Sequence, residues 1–289
     1  MKIMTQKEKA DWFRKLHHSG NMLVLANIWD PLGALLMENL GYPAIATASA
    51  AIAYANGYND KEKIPFNDLL KLLKRITASV NLPVTADIES GYAENDNQLQ
   101  EHIKQLLDTG VVGINIEDTD HKTNSLLSIE FQCNKIRLIR KSADEMCIPL
   151  FINARTDVYL HEQNFASAEA KFDETIKRGL TYKEAGADGF FPITLKQEEE
   201  IKELIDRVKL PINIITMPGI PDLKTLGKIG VARVSLGPSL LKIAIKAIKE
   251  LAQQLKDYEG LSSITGNEIT SDYLKSLVNK GINQVSIHQ

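Results

Sequence analysis

At 289 residues, with 44% hydrophobic and 25% charged residues, the chain can bury a sizeable core in one large domain without disulfides or a structural metal. A net charge of −3 and a sequence pI near 6.1 give no basic field for nucleic acid. No run approaches the ~18 apolar residues of a membrane span, and the opening Met-Lys-Ile-Met-Thr-Gln-Lys-Glu has no apolar signal core. The expectation is a cytoplasmic protein whose partner is a small molecule.

Residues 5 to 17 carry Trp12, Phe13 and Leu16 at helical spacing and predict a helix lying under the fold. Met22 to Ala26 is the first strand, and Pro31 opens a helix running to about Leu40. Ala44 to Ala48 is the second strand, followed by a small-residue loop from Ser49 to Asp60. A helix over 66–80 places Leu69, Leu70, Leu73 and Ile76 on one face and leads into the strand after Pro83. Strand and helix then alternate. Helices from about Asn97 to Asp108 and Ile129 to Met146 precede strands at Val112 and Pro149, and a helix over 167–185, ended by Gly186, precedes Asp188 to Pro192. Glu198 to Val208, Pro211 to Thr216, Asp222 to Lys228 and Ala232 to Leu236 complete eight β-then-α units, and Gly237-Pro238 opens a last long helix to about Leu255.

Eight even units with no Gly-x-Gly-x-x-Gly after any strand predict a closed (β/α)8 TIM-type barrel over 1–258, with an extra N-terminal helix, rather than an open doubly wound sheet. The tail, 259–289, is more polar and carries one helical pattern at Tyr273, Leu274, Leu277 and Val278, expected to pack on a neighbouring subunit. Cys133 and Cys147 fall in one predicted helix, about 21 Å apart, too far for a disulfide, and read as buried reduced thiols.

In such barrels the chemistry sits at the C-terminal ends of the strands. If Val84 to Glu89 is extended, Thr85, Asp87 and Glu89 share a face, and one unit later Asn115 and Glu117 do the same. Ionised carboxylates at such positions need partners or a metal. No His-x-His or His-Glu-x-x-His spacing points to zinc, so a hard cation, Mg2+ or Mn2+, is expected on Asp87, Glu89 and Glu117. Arg155 would set a guanidinium across the rim for a carboxylate. Lys122, in the polar loop Asp120-His-Lys-Thr-Asn-Ser125, fits a gate that closes over an anionic substrate together with Asn124. No lysine lies within a strand, which weakens a Schiff-base aldolase.

These residues resemble the isocitrate lyase and phosphoenolpyruvate mutase superfamily from about Asn21 to Leu251. Asp87-Ile-Glu89-Ser-Gly-Tyr is similar to its Asp-x-Asp-x-Gly-Tyr metal motif, with Glu in the second place. Gly113-Ile-Asn-Ile-Glu117-Asp resembles its next metal strand, Asn-Gly-Tyr-Asn-Asp60 the loop bearing its active-site Asp, and Asn-Ala-Arg155 its substrate arginine. The resemblance implies a magnesium ion and backbone groups at Ser49 and Ala50 holding an α-oxo carboxylate, with Asp60, Lys122 and Asn124 as catalytic residues, in a homo-oligomer (dimer or tetramer). Two features depart from the lyases. No Lys-Lys/Arg-Cys-Gly-His motif follows Glu117, and Ile193 stands where the lyases carry Glu and the mutase His. Lys122-Thr-Asn124-Ser resembles the mutase loop instead, one residue shorter. The expectation is an Mg-dependent enzyme acting on a small α-oxo acid or phosphonate at the C–C or P–C bond next to the carbonyl. Oxaloacetate-type decarboxylation or hydrolysis, methylisocitrate-type cleavage and a non-catalytic oxo-acid-binding barrel are the alternatives.

Overall fold

In the computed structural model, which describes residues 3–285, eight parallel strands follow the predicted order. They are β1 Leu23–Ile28, β2 Ile45–Thr47, β3 Val84–Asp87 and β4 Gly113–Glu117, then, after a small hairpin of β5 Thr119–Asp120 with β6 Ser125–Leu126, β7 Phe151–Thr156, β8 Gly189–Pro192, β9 Asn213–Ile215 and β10 Arg233–Ser235. The sheet runs β8-β7-β4-β3-β2-β1-β10-β9, and a parallel bridge between Phe190 and Ile212 joins its two edges, with Phe190 N–H donating to Pro211 O at 3.0 Å. The sheet is a barrel, not an open sheet.

Local chemistry sets the crossover helices. Asp30, Asn95, Ser128, Ser167 and Asp222 each accept a backbone N–H at the head of the helix that follows. Gly186, at φ 108°, ends the helix Ala168–Ala185 in the left-handed conformation that favours glycine. Outward strand residues such as Ile114, Ile116, Ile152 and Ile214 meet Leu69, Leu73, Ile103, Ile136 and Leu204 from the helices in one continuous core.

Three expectations are corrected. Ser49–Ala55 is a short helix, not a loop, because four of its seven residues are alanine, the strongest helix former. β3 stops at Asp87, and Glu89 turns back at φ 52°, so simple alternation does not carry as far as Glu89. The helix Ile129–Glu145 ends before Cys147, which is exposed at φ 56°; only Cys133 is buried.

The helix Gln6–His17 plugs the N-terminal end of the barrel, where Ala10 and Phe13 pack on Leu23, Leu25, Ala44, Ala46 and Phe151. A Cβ on Gly113 would come within 2.8 Å of the Phe13 ring, so the plug depends on a bare backbone there. Arg14 pins the plug to Asp188 at 2.5 Å, and Arg140 meets the other Asp188 oxygen.

Beyond β10 the helix Ser239–Lys256 buries none of its residues, and Ile243, Ile245 and Ile248 are 65%, 54% and 62% exposed. The later helix, Ser271–Val285, returns to its own barrel and seats Leu277 and Tyr273 against Leu35, Ile76, Val80 and Val84. Residues 286–289 of the tail, like Met1 and Lys2, lie outside the described residues. Leu277 is 2% exposed, so Leu277→Ala should cost about 2–4 kcal/mol in urea unfolding. A loss below about 0.5 kcal/mol, the size of an ordinary surface substitution, would show that the tail helix does not pack this way.

Candidate active site

The parallel register sets Asp87 beside Asn115 and Asn153, and one layer higher sets Glu117 beside Arg155. Alternation along β4 then divides two adjacent acids. Glu117 turns into the mouth of the barrel, whereas Asp118 turns outward and is fully enclosed by Thr156 Oγ1 (2.7 Å), Asp157 N (2.8 Å), Arg178 Nη1 (2.8 Å) and Tyr182 Oη (2.7 Å). Asp118 therefore anchors the helix Ala168–Ala185, and Glu117 is left for the mouth.

At the mouth lies a cavity of about 320 Å³ lined by Ser49, Asp60, Glu89, Glu117, Asn124 and Arg155 from the expected set. Ser49 Oγ donates to Asp87 Oδ2 at 3.0 Å, and Asp87 N–H donates to Thr47 Oγ1 at 3.2 Å. Glu89 accepts from Tyr92 Oη at 2.9 Å and from the Glu62 backbone N–H at 2.8 Å. Arg155 Nη1 lies 2.5 Å from Glu117 Oε2, and its Nε and Nη2 donate to Asp157 at 2.6 and 3.1 Å. Asp60 Oδ1 is buried without a hydrogen-bond partner among the described residues.

Three expected residues do not line the cavity: Ala50, Lys122 and Asp87, the last of which meets it only through Ser49. Ala50 is half-buried in the first turn after β2 and does not line the cavity. Lys122 points away and pairs with Glu94 at 2.8 Å, beside a second cavity of about 310 Å³ that also takes in Lys135 and Phe131. The cavity has further walls in Lys61, Thr119, His121, Asp157, Leu160 and His161. Of these, Asp157 was visible as the acid two residues beyond Arg155. Lys61 and His121 stand in loops without periodicity, where only adjacency to Asp60 and Lys122 could have drawn attention to them.

Electrostatics follow from burial and crowding. Burial, then the charges of Asp60 and Asp87, pushes Glu89 up to about 8. Burial likewise raises Asp87 and Glu117 against the pull of Arg155. His121 stands 2.9 Å from Glu117 Oε1 and 3.6 Å from Glu89 Oε2; burial works most strongly against its protonation, but Glu117, Glu62 and Glu89 together outweigh burial and raise its pKa. Behind β4, Lys135 Nζ donates to the Glu117 carbonyl at 3.2 Å, and burial lowers it to about 8.

The acids that crowd one another are oxygen donors, and a hard cation would relieve their mutual repulsion. Among the described residues no group of three or more His, Cys, Asp or Glu side chains is placed to hold a metal ion by itself.

The profile of the phosphoenolpyruvate phosphomutase family matches residues 13–256. An uncharacterised protein of Mycobacterium tuberculosis is 32% identical over 249 residues, covering 86% of this chain and 90% of its own. The 2-methylisocitrate lyase of Bacillus subtilis is 29% identical, covering 73% and 68%. A crystal structure from Burkholderia cenocepacia J2315, provisionally named a phosphonomutase, has a TM-score of 0.82 at 36% identity, covering 86% of this chain and 99% of its own. A phosphonopyruvate hydrolase crystallised with oxalate and Mg2+ has a TM-score of 0.82 at 21% identity, covering 99% of each chain.

Glu89 also predicts a pH dependence of stability. Its folded pKa, about 8, lies above the ordinary 4.5, so the folded state retains a proton that the unfolded chain releases. This contribution is full below about pH 4.5 and is lost as pH rises through 8. Metal-free protein in EDTA should lose stability over that window by up to about 1.4 kcal/mol per pH unit, and Glu89→Gln should flatten the slope. Identical slopes for variant and wild type in urea titrations would exclude Glu89 as the source.

Proposed function

The chain belongs to the phosphoenolpyruvate phosphomutase family, within the isocitrate lyase and phosphoenolpyruvate mutase superfamily of enzymes, and on that premise we propose an Mg-dependent enzyme that breaks or moves the C–C or P–C bond next to the carbonyl of a small α-oxo acid or phosphonate. One observation carries this reading: Asp60, Glu89 and Glu117 face the same small cavity as the Arg155 guanidinium. That pairing suits a cation and a substrate carboxylate side by side. Asp87, Glu89 and Glu117, partly through water, would hold the metal, which when bound acts as a Lewis acid on the oxo group.

The chain's own groups supply the rest. Arg155 is fixed at three of its five N–H groups by Glu117 and Asp157, so it is oriented before any ligand arrives and keeps donors for a carboxylate. The buried Asp60 Oδ1, without a partner among the described residues, is available to accept a proton or to orient the departing group. Asn124 adds an amide at the same wall. Lys122 would join them if the hairpin moved and its pair with Glu94 opened. Ser49 orients Asp87, and the backbone around Ser49 and Ala50 offers contacts to the oxo acid.

The bond that breaks is read from the hairpin. Asp118-Thr-Asp-His-Lys-Thr-Asn-Ser holds no cysteine to act as acid in lyase-type cleavage, which favours a phosphonopyruvate-type reaction. Oxaloacetate-type decarboxylation is the second reading, supported by the oxaloacetate decarboxylase of Pseudomonas entomophila, 26% identical over 90% of both chains. We place the enzyme in the cytoplasm as a homo-oligomer, with a second copy covering the exposed isoleucine face of Ser239–Lys256.

Calorimetry tests the site. Oxalate should bind with Mg2+ and not without it, and absence of binding in both conditions would remove the enzymatic reading. Turnover of phosphonopyruvate or oxaloacetate should fall at least about 10²–10³-fold in Asp87→Ala; a fully active variant would sink the metal assignment. Ile245→Glu with Ile248→Glu should dissociate the oligomer on a sizing column, and an unchanged elution volume would exclude that face.

A further inference from the structure

The turn that follows Asp60 holds two consecutive non-glycine residues in the left-handed region, Lys61 at φ 70° and Glu62 at φ 57°. Such a pair persists only where its surroundings impose it. Here Glu62 does so from both ends: its N–H donates to Glu89 Oε2 at 2.8 Å, and its Oε1 accepts from Tyr92 N–H at 2.7 Å. Glu89, Tyr92 and Asn124 are themselves left-handed, at 52°, 56° and 52°. The strained residues thus form one interlocked set around the mouth, and its product is the position of Lys61.

Lys61 lines the cavity, and its Nζ donates to Asn124 Oδ1 at 2.7 Å, linking the turn to the hairpin. That amide oxygen is neutral, and among the described residues no carboxylate pairs with Lys61, whose exposed ammonium leaves two N–H groups to solvent or a ligand. The other permanent cation of the cavity, Arg155, is already held by two carboxylates. Lys122, expected from sequence to meet the anionic substrate, is 74% exposed and paired with Glu94 outside this cavity.

We propose that Lys61 is a specificity-determining residue that binds a second anionic group, carboxylate or phosphonate, at the far end of the substrate from Arg155. The inference rests on the oxo-acid reading and narrows it: the site selects oxo acids with a distal anion over monoanionic ones such as pyruvate. Asn124 orients the ammonium, and the locked turn holds it in place before the ligand arrives.

The test compares wild type, Lys61→Gln and Lys61→Arg, each loaded with Mg2+. Oxalate affinity is measured by calorimetry, then the constants with which phosphonopyruvate, oxaloacetate and pyruvate displace it. Lys61→Gln should weaken the two longer anions about tenfold or more, as expected for a lost charge-assisted hydrogen bond, while oxalate and pyruvate change less than about threefold. Lys61→Arg should recover most of the difference. If wild type binds no oxalate, the oxo-acid reading falls and this proposal with it. If oxalate binds but the longer anions are unaffected, or all ligands weaken alike, Lys61 alone loses its role. A selective loss in Lys122→Gln and not in Lys61→Gln would transfer that role to the hairpin.

Discussion

The arrangement of the barrel mouth depends on like charges being forced together. Asp60, Asp87, Glu89 and Glu117 arrive from the loops and ends of β2, β3 and β4, and Asp87, Glu89 and Glu117 are driven toward their neutral forms, first by burial and then by neighbouring acids. A sheet closed by eight parallel strands leaves little choice, because the strand ends meet around one small opening. The register sets Arg155 directly beside Glu117, so one guanidinium neutralises part of the cluster. Burying such a group without full pairing costs stability, and the cost is consistent with a site kept for ligands rather than for folding.

That origin explains what could be read in the sequence. Asp87, Glu117 and Arg155 sit within or at the ends of regular strands, where a period of two fixes the face, and the same rule sends Asp118 outward to Arg178 and Tyr182. Glu89 lines the mouth, but not for the reason the sequence suggested: β3 ends before it, and a left-handed turn, not an extended strand, brings it there. Lys61 and His121 belong to turns whose geometry is set by distant partners, Glu89 and Tyr92 for one, Glu117 for the other. No local pattern encodes such partners. The alanine-rich helix after β2 was missed because small residues suit both a loop that admits ligands and a helix.

The barrel interior is layered in polarity. At the bottom, Phe13, Leu25, Ala46 and Phe151 make an apolar plug. Above them Arg233 is fully buried, with Nη2 3.2 Å from Asn115 Oδ1 and Nε 3.3 Å from Ser235 Oγ, while Asn153 Nδ2 donates to the same Asn115 oxygen at 2.9 Å. Burial lowers this guanidinium to about 9, and among its neighbours only Asp87 favours its charge. A cation in the floor therefore faces the acids of the mouth across a layer of amides. Asn115 and Asn153 stand between them, in register with Asp87.

The hairpin after β4 joins this charged core to the outside. Thr119 and His121 are walls of both cavities, Asn124 faces only the one at the mouth, and Lys122 faces only the other. Two residues of one short turn thus look into different spaces, which follows from the left-handed backbone at Asn124 lying between the two strands of the hairpin. Both spaces are ionic, but they differ in kind. The mouth holds its charge on buried groups locked by the barrel register, whereas the outer cavity is closed by Lys122 and Glu94, an exposed pair of the sort that water and salt weaken. A ligand at the mouth therefore meets groups already in position, whereas the contact at the outer cavity is the more easily broken of the two.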